Sequence, residues 1–293
     1  MPITNHAHDP FRVPGVPDLI LWGTRRRWRY FPNLRGKWRM HEPAMNVCED
    51  GLLRSRARFQ GSLTVPVDYA DVVQRELFLY GVYEPETTRE VERLLRPGQT
   101  VLDVGANIGY YTLVFAKAVG ETGRVHAFEP VFSLRWTLEN NIGASAFRNV
   151  AVEGLACWSS RGETEIFEAS CRNSDKSSLF AQNADGSQGH KIQTTTIDTY
   201  AAAKPLSKVN LIKIAVEGAE LDVLEGSWET IARWRPVLIV EVVPRFLEAS
   251  RSSLREFLNL LESRGYNCEV RDPRPSASEW EYCNLIATPR SRP

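Results

Sequence analysis

The stretch Thr100-Val-Leu-Asp-Val-Gly-Ala-Asn-Ile-Gly109 constrains the fold more than any other part of this chain. It is an apolar run too short for a helix, stopped by glycines and followed at 110–119 by a helical apolar period. That pattern reads as a buried parallel strand turning sharply into a helix, and a second apolar run at 125–130, Val-His-Ala-Phe-Glu-Pro, completes the first half of a nucleotide-binding βαβ unit.

The glycines discriminate among ligands. Gly105 and Gly109 let backbone approach a ligand at a helix N-terminus, where free N–H groups favour a carboxylate or phosphate. A dinucleotide fingerprint would need glycines at 105, 107 and 110, whereas Asn107 and Tyr110 stand there. That argues against a pyrophosphate and against a nicotinamide-dependent oxidoreductase. Glu129, at the end of the second strand, is placed to accept hydrogen bonds from both hydroxyls of a ribose. A ligand with ribose, adenine and an amino-acid end in place of a pyrophosphate is S-adenosylmethionine.

The loop 103–109, Ala127-Phe-Glu-Pro130, Thr196-Ile-Asp198 and Lys213-Ile-Ala-Val-Glu-Gly-Ala-Glu220 together resemble the FkbM family of S-adenosylmethionine-dependent methyltransferases, over residues of about 83 to 268. The resemblance implies a Rossmann-like α/β fold, a seven-stranded methyltransferase sheet with helices on both faces. It implies cofactor contacts from Asp103, Gly105, Asn107, Gly109 and Glu129, and from the turn at 154–156, including Ala156, against the adenine. It also implies methyl transfer to a hydroxyl of a sugar or secondary metabolite. The family usually carries an aspartate where this chain has Ala215, so a protein that keeps the cofactor fold but has weakened or lost turnover is the rival reading.

Lys213 and Glu217 are the candidate catalytic residues. Continued strand geometry would project Lys213, Ala215 and Glu217 to one face. A lysine in an apolar strand is costly to bury unless paired, so Lys213 is either a general base or a structural partner of Glu217 or Glu241. Glu217 is the better candidate to orient the acceptor; Glu220 reads as structural, in the first turn of a helix. Asp198 reads equally as a helix cap or a site residue, and His126 as a core histidine.

The chain divides into an N-terminal extension, 1–62, and a methyltransferase-like domain, 63–290, with an insertion at about 158–206 that exceeds ordinary connection lengths. Long loops at a binding edge often recognise substrate. The formal charge balances, yet residues 1–60 carry 11 Arg or Lys against 5 Asp or Glu, leaving 25 against 31 in the remainder. Basic residues interleave there with aromatics, as in Trp22-Gly-Thr-Arg-Arg-Arg-Trp-Arg-Tyr-Phe31. This segment reads first as a peripheral cover, then as a lid or substrate contact; no RNA-binding motif accompanies it, so nucleic acid is a disfavoured partner. His6 and His8 read as solvated.

Five cysteines, Cys48, Cys157, Cys171, Cys268 and Cys283, show no C-x-x-C pairing and suggest neither a disulfide framework nor a metal site. No apolar run reaches the length of a membrane helix and the first nine residues are polar, so the expected location is cytoplasmic. The expected partner is a small-molecule acceptor; oligomeric state is not legible.

Overall fold

A computed structural model describes residues 54–59, 63–68, 71–167, 189–249, 253–275 and 280–290. The basic aromatic cluster, His6, His8, Cys48 and Cys171 lie outside the described residues, as do the polar loops at 170–178 and 183–188.

Seven strands form the central sheet. Five run parallel: β3 (Thr100–Val104), β4 (Arg124–Phe128), β5 (Val150–Glu153), β9 (Leu211–Ile214) and β10 (Val237–Val242). The last two, β11 (Tyr266–Pro275) and β12 (Trp280–Pro289), are antiparallel, and the spatial order is β11-β12-β10-β9-β3-β4-β5. This is the α/β sheet with helices on both faces that the sequence implied. Near-continuous Val, Leu and Ile in β3, β9 and β10 suit strands covered on both sides.

Alternation along the strands assigns the two faces. Val101, Val125, Leu211 and Ile239 pack under α3 (Tyr110–Val119), α2 (Pro85–Leu94) and the hairpin of β1 (Arg54–Phe59) and β2 (Leu63–Asp68). Leu102, Val104, Ile212 and Val240 pack against α5 (Ile197–Ala203), α6 (Glu220–Glu225), α7 (Trp228–Trp234) and α9 (Leu254–Ser263). The hairpin spans residue 63, where the sequence placed the domain's start; Ala57 and Phe59 lie in the same core as Leu63 and Val65. Two further helices are α1 (Val72–Tyr80), against that hairpin, and α4 (Phe132–Ala144), after β4. A short helix α8 (Pro244–Ala249) follows β10.

The described part of the insertion adds a second, three-stranded sheet. β6 (Ala156–Cys157) leaves the end of β5 and pairs with β8 (Gly189–Thr195), which pairs antiparallel with β7 (Gly162–Phe167).

The apolar residues Leu221, Leu224, Trp228 and Ile231 share the period of one helix, but two helices carry them. The break is at Gly226, the C-cap of α6, where a Cβ would overlap the carbonyl oxygen of Trp158; it separates Leu221 and Leu224 on α6 from Trp228 and Ile231 on α7. Asp198 explains the restart: its carboxylate accepts from the N–H groups of Glu229 (3.1 Å) and Thr230 (2.7 Å) at the start of α7. Its own helix α5 is capped by Thr196, which accepts from Thr199 N. Asp198 is thus a cap of a neighbouring helix. Among the described residues no helix is long and apolar enough to cross a membrane.

Candidate cofactor and acceptor cleft

The loop after β3 is held open by backbone geometry. Gly105, Asn107 and Gly109 have φ of 78°, 51° and 93°, and the N–H groups of Gly105 and Ala106 both donate to the carbonyl of Phe128. A Cβ on Gly105 would overlap the carbonyl oxygen of Ala215, so glycine lets the loops after β3 and β9 touch. Gly109 caps α3, packed on Leu138.

Glu129 fastens this loop to the next strand. Its two carboxylate oxygens accept from Asn107 N (2.8 Å) and Val131 N (2.9 Å). Each oxygen keeps a further lone pair for another donor. The side chain is 5 % exposed, and burial pushes its carboxyl up to about 7 against the pull of those two N–H groups. Between its ordinary value of 4.5 and about 7 the folded chain holds this proton more tightly than the unfolded chain does. The group therefore favours folding at the acid end, and that contribution is lost as pH rises through 7. From pH 5.5 to 8, urea titrations should show wild type losing about 2 kcal/mol more stability than Glu129→Gln, which cannot titrate.

A cleft with about 570 Å³ of open space lies at the carboxyl ends of β3, β4 and β9. Gly105, Asn107, Glu129, Ala156, Ala215 and Glu217 line it, with apolar walls from Phe128, Val131, Leu134, Leu155, Cys157 and Ile166. The donor set fits the expected ligand. A carboxylate with spare lone pairs suits a ribose, an apolar slot suits an adenine, and a glycine-bearing loop suits a close-lying polar end.

The structure separates the predicted residues. Gly105, Asn107, Glu129, Ala156 and Glu217 come together on the cleft; Asp103, Gly109 and Lys213 are not in its lining. Asp103 is fully buried beneath α3, where Thr112 Oγ1 donates to Oδ2 at 2.5 Å and Oδ1 has no partner among the described residues. Burial pushes its carboxyl up, while the charge of Lys213 and the Thr112 hydroxyl pull it back. Lys213 is 4 % exposed and in register with Asp103, its ammonium 4.8 Å from the centre of the Tyr111 ring. Lys213 thus lies close to Asp103 and Tyr111.

The shared face expected for Lys213, Ala215 and Glu217 is not formed. β9 ends at Ile214, and Glu217 takes a φ of 53°, so the period of two is broken and Glu217 swings to the cleft. Glu220 clasps that turn: its carboxylate accepts from Val216 N and Gly218 N at 3.1–3.2 Å. His126 is a core residue, its Nδ1 2.7 Å from Tyr200 Oη.

Sequence reasoning missed one buried polar group. Glu84, 2 % exposed with φ 44°, accepts from Tyr111 Oη (2.5 Å) and Tyr282 Oη (2.9 Å), tying the start of α2 to α3 and β12. Its only sequence signal is its place before Pro85, which marks a helix start. Ile166 was likewise missed as cleft lining, because its place depends on how the insertion pairs. Among the described residues no group of three His, Cys, Asp or Glu side chains could hold a metal.

Residues 103–268 match the family model of the methyltransferase FkbM domain. The chain is 25% identical over 235 residues to the AMB antimetabolite synthetase AmbE of Pseudomonas aeruginosa, an alignment covering 69% of this chain and 11% of that protein. It is 30% identical over 166 residues to a protein-L-isoaspartate O-methyltransferase of Aeropyrum pernix, covering 51% of this chain and 61% of that one. It therefore spans less than two thirds of either relative. A crystal structure of an FkbM methyltransferase from Methylobacillus flagellatus KT aligns with a TM-score of 0.46 at 18% identity, covering 74% of this chain and 53% of that chain.

Proposed function

The chain belongs to the methyltransferase FkbM domain family and has S-adenosylmethionine as its cofactor, and from that premise we propose that it methylates a hydroxyl oxygen of a sugar or secondary metabolite. The observation that carries this reading is the meeting of two carboxylates with different surroundings, Glu129 and Glu217, in one cleft. Glu129 is clamped by backbone and suited to hold; Glu217, on a turn after β9, is suited to act.

Bound S-adenosylmethionine supplies a methyl group on a sulfonium sulfur, an electrophile that needs no activation by the protein. Glu129 would accept the ribose hydroxyls, Leu155, Ala156, Cys157 and Ile166 would enclose the adenine, and the backbone from Gly105 to Asn107 would meet the amino-acid end. Glu217 would orient the acceptor hydroxyl and take its proton. Asp103 and Lys213 would support the loop from beneath. The name of the Aeropyrum pernix relative, an O-methyltransferase, supports oxygen as the accepting atom. The free thiols of Cys157, Cys268 and Cys283 favour a reducing, cytoplasmic setting.

The test is an acceptor screen over glycosylated metabolites, read by release of S-adenosylhomocysteine. For an acceptor so found, Glu217→Gln should lower kcat by about 10²–10⁴-fold. Its affinity for S-adenosylhomocysteine should stay within about threefold of wild type, since that change is under 1 kcal/mol. An unchanged kcat removes Glu217 from the chemistry. A second reading, prompted by the bare methyl group of Ala215 in the cleft, is a cofactor-binding protein without turnover; it predicts tight S-adenosylhomocysteine binding and no transfer to any acceptor.

A further inference from the structure

Tyr200, on α5, is buried, and its side chain crosses two strands whose carboxyl ends feed the cleft. Phe128 of β4 and Glu153 of β5 are direct partners in the parallel ladder, and alternation puts His126 on the same face as Phe128. Tyr200 lies across all three. Its ring meets the Phe128 ring edge to face, with centroids 4.7 Å apart, and its Oη donates to Glu153 Oε1 at 2.8 Å. His126 Nδ1 stands 2.7 Å from the same Oη.

The proton count fixes the direction of this relay. A phenol has one proton, and Tyr200 gives it to Glu153, so His126 donates from Nδ1. Burial pushes the His126 imidazole down from its ordinary value, so the ring is neutral at pH 7 and its single proton sits on Nδ1. Nε2 is then a bare lone pair, in keeping with its lack of a hydrogen-bond partner among the described residues. Lys204 closes the surface end of the relay, its ammonium 3.0 Å from Glu153 Oε1.

The relay ends where the walls of the cleft begin. The carbonyl of Glu153 accepts from Glu129 N at 3.0 Å, and Glu153 is the last residue of β5, followed by the turn Gly154-Leu155-Ala156. The end of β5 therefore supports two parts of the cleft: Glu129, and the apolar wall of Leu155 and Ala156. Phe128, against the Tyr200 ring, is a third. Tyr200 itself is not in the lining, so it acts on the cleft through these neighbours.

We infer that Tyr200 is a positioning residue for the nucleoside end of the cofactor, acting through Glu153 and Phe128. The inference rests on the placing of the ribose at Glu129 and the adenine at Leu155 and Ala156, and is independent of the acceptor. Removing the hydroxyl strands the Nδ1–H of His126 and takes a donor from Glu153, so the end of β5 loses its side-chain anchor. Tyr200→Phe keeps the ring against Phe128 and so isolates the hydroxyl.

The experiment measures the thermal midpoint and the calorimetric affinity for two ligands, S-adenosylhomocysteine and 5′-methylthioadenosine, which keeps the nucleoside and lacks the amino-acid end. The proteins are wild type, Tyr200→Phe, Glu153→Gln, Glu153→Leu, and the double variant that joins Tyr200→Phe to Glu153→Leu. Tyr200→Phe should bind both ligands about tenfold more weakly, the scale set by a stranded hydrogen-bond partner. Glu153→Gln keeps an acceptor for Tyr200 Oη and should lose no more than about threefold, whereas Glu153→Leu should match Tyr200→Phe. The double variant should be within about twofold of the weaker single one, because the two groups act as a unit. A lower midpoint with unchanged affinity per folded molecule would make Tyr200 a packing residue alone and overturn the inference. So would a loss confined to S-adenosylhomocysteine, or losses that multiply in the double variant. If Tyr200→Phe does not fold, the two Glu153 variants carry the test, and equal affinities for them would overturn it. Wild type that binds neither ligand would remove the cofactor site itself.

Discussion

Gly105→Ala is expected to destabilise the protein by about 2–5 kcal/mol, the sum of a left-handed backbone imposed on a residue with a Cβ and an overpacked contact. The backbone at 105 has φ 78°, and the new methyl would overlap the carbonyl oxygen of Ala215. That carbonyl has little freedom to retreat, because the N–H of Ala215 is bound to the carbonyl of Val104 and continues the pairing of β9 with β3. Gly143→Ala is the control. Gly143 lies exposed near the end of α4 with nothing within 4 Å of an added Cβ, so the same change there should be neutral or stabilise by up to about 1 kcal/mol. Urea denaturation of both variants measures the difference; equal stabilities would show that the contact between the two loops is not tight.

Glu129→Ala should weaken binding of S-adenosylhomocysteine by at least about 100-fold, roughly 3 kcal/mol. The change deletes the proposed ribose acceptors and also strands the N–H groups of Asn107 and Val131, each costing about 1–3 kcal/mol where water is excluded. The loop would lose its shape as well as its charge. Glu129→Gln retains one carbonyl oxygen but turns an NH₂ group toward a backbone N–H, so it should fall between alanine and wild type. Because the ionised carboxylate is the form that accepts from both hydroxyls, wild-type affinity should decline below pH 7, by up to about tenfold per unit. The Gln variant should show no such decline. Calorimetric titrations at pH 6 and 8 separate these outcomes.

Local chemistry made much of this legible. The passage from β3 into α3 is written in adjacent residues: an apolar run, two glycines with positive φ, and a helical period. Glu129 could be placed because a strand's end is marked by the Pro130 that follows it. Legibility failed where backbone geometry departs from its period. Alternation from Lys213 would carry Glu217 to the face of α3, but β9 stops at Ile214 and the left-handed turn at Glu217 and Gly218 redirects the chain. The side chain moved into the cleft, while Lys213 stayed beneath Tyr111. It failed again where pairing is non-local. Ile166 reaches the cleft only because β7 pairs with β8, and Asn284 meets Glu241 only because β12 runs antiparallel to β10. Nothing within either segment encodes those partners. The apolar stripe from Leu221 to Ile231 keeps one helical period across the break at Gly226, a position that the carbonyl of Trp158, distant in the chain, leaves no room to carry a Cβ.

The central claim is that the cleft between Gly105, Glu129 and Ala156 holds S-adenosylmethionine, and isothermal titration of the wild-type chain with S-adenosylhomocysteine, repeated with NAD, tests it most directly. The account predicts a dissociation constant in the micromolar range or below, about −8 kcal/mol or stronger, with no heat from NAD. Heat from NAD and none from S-adenosylhomocysteine would contradict it.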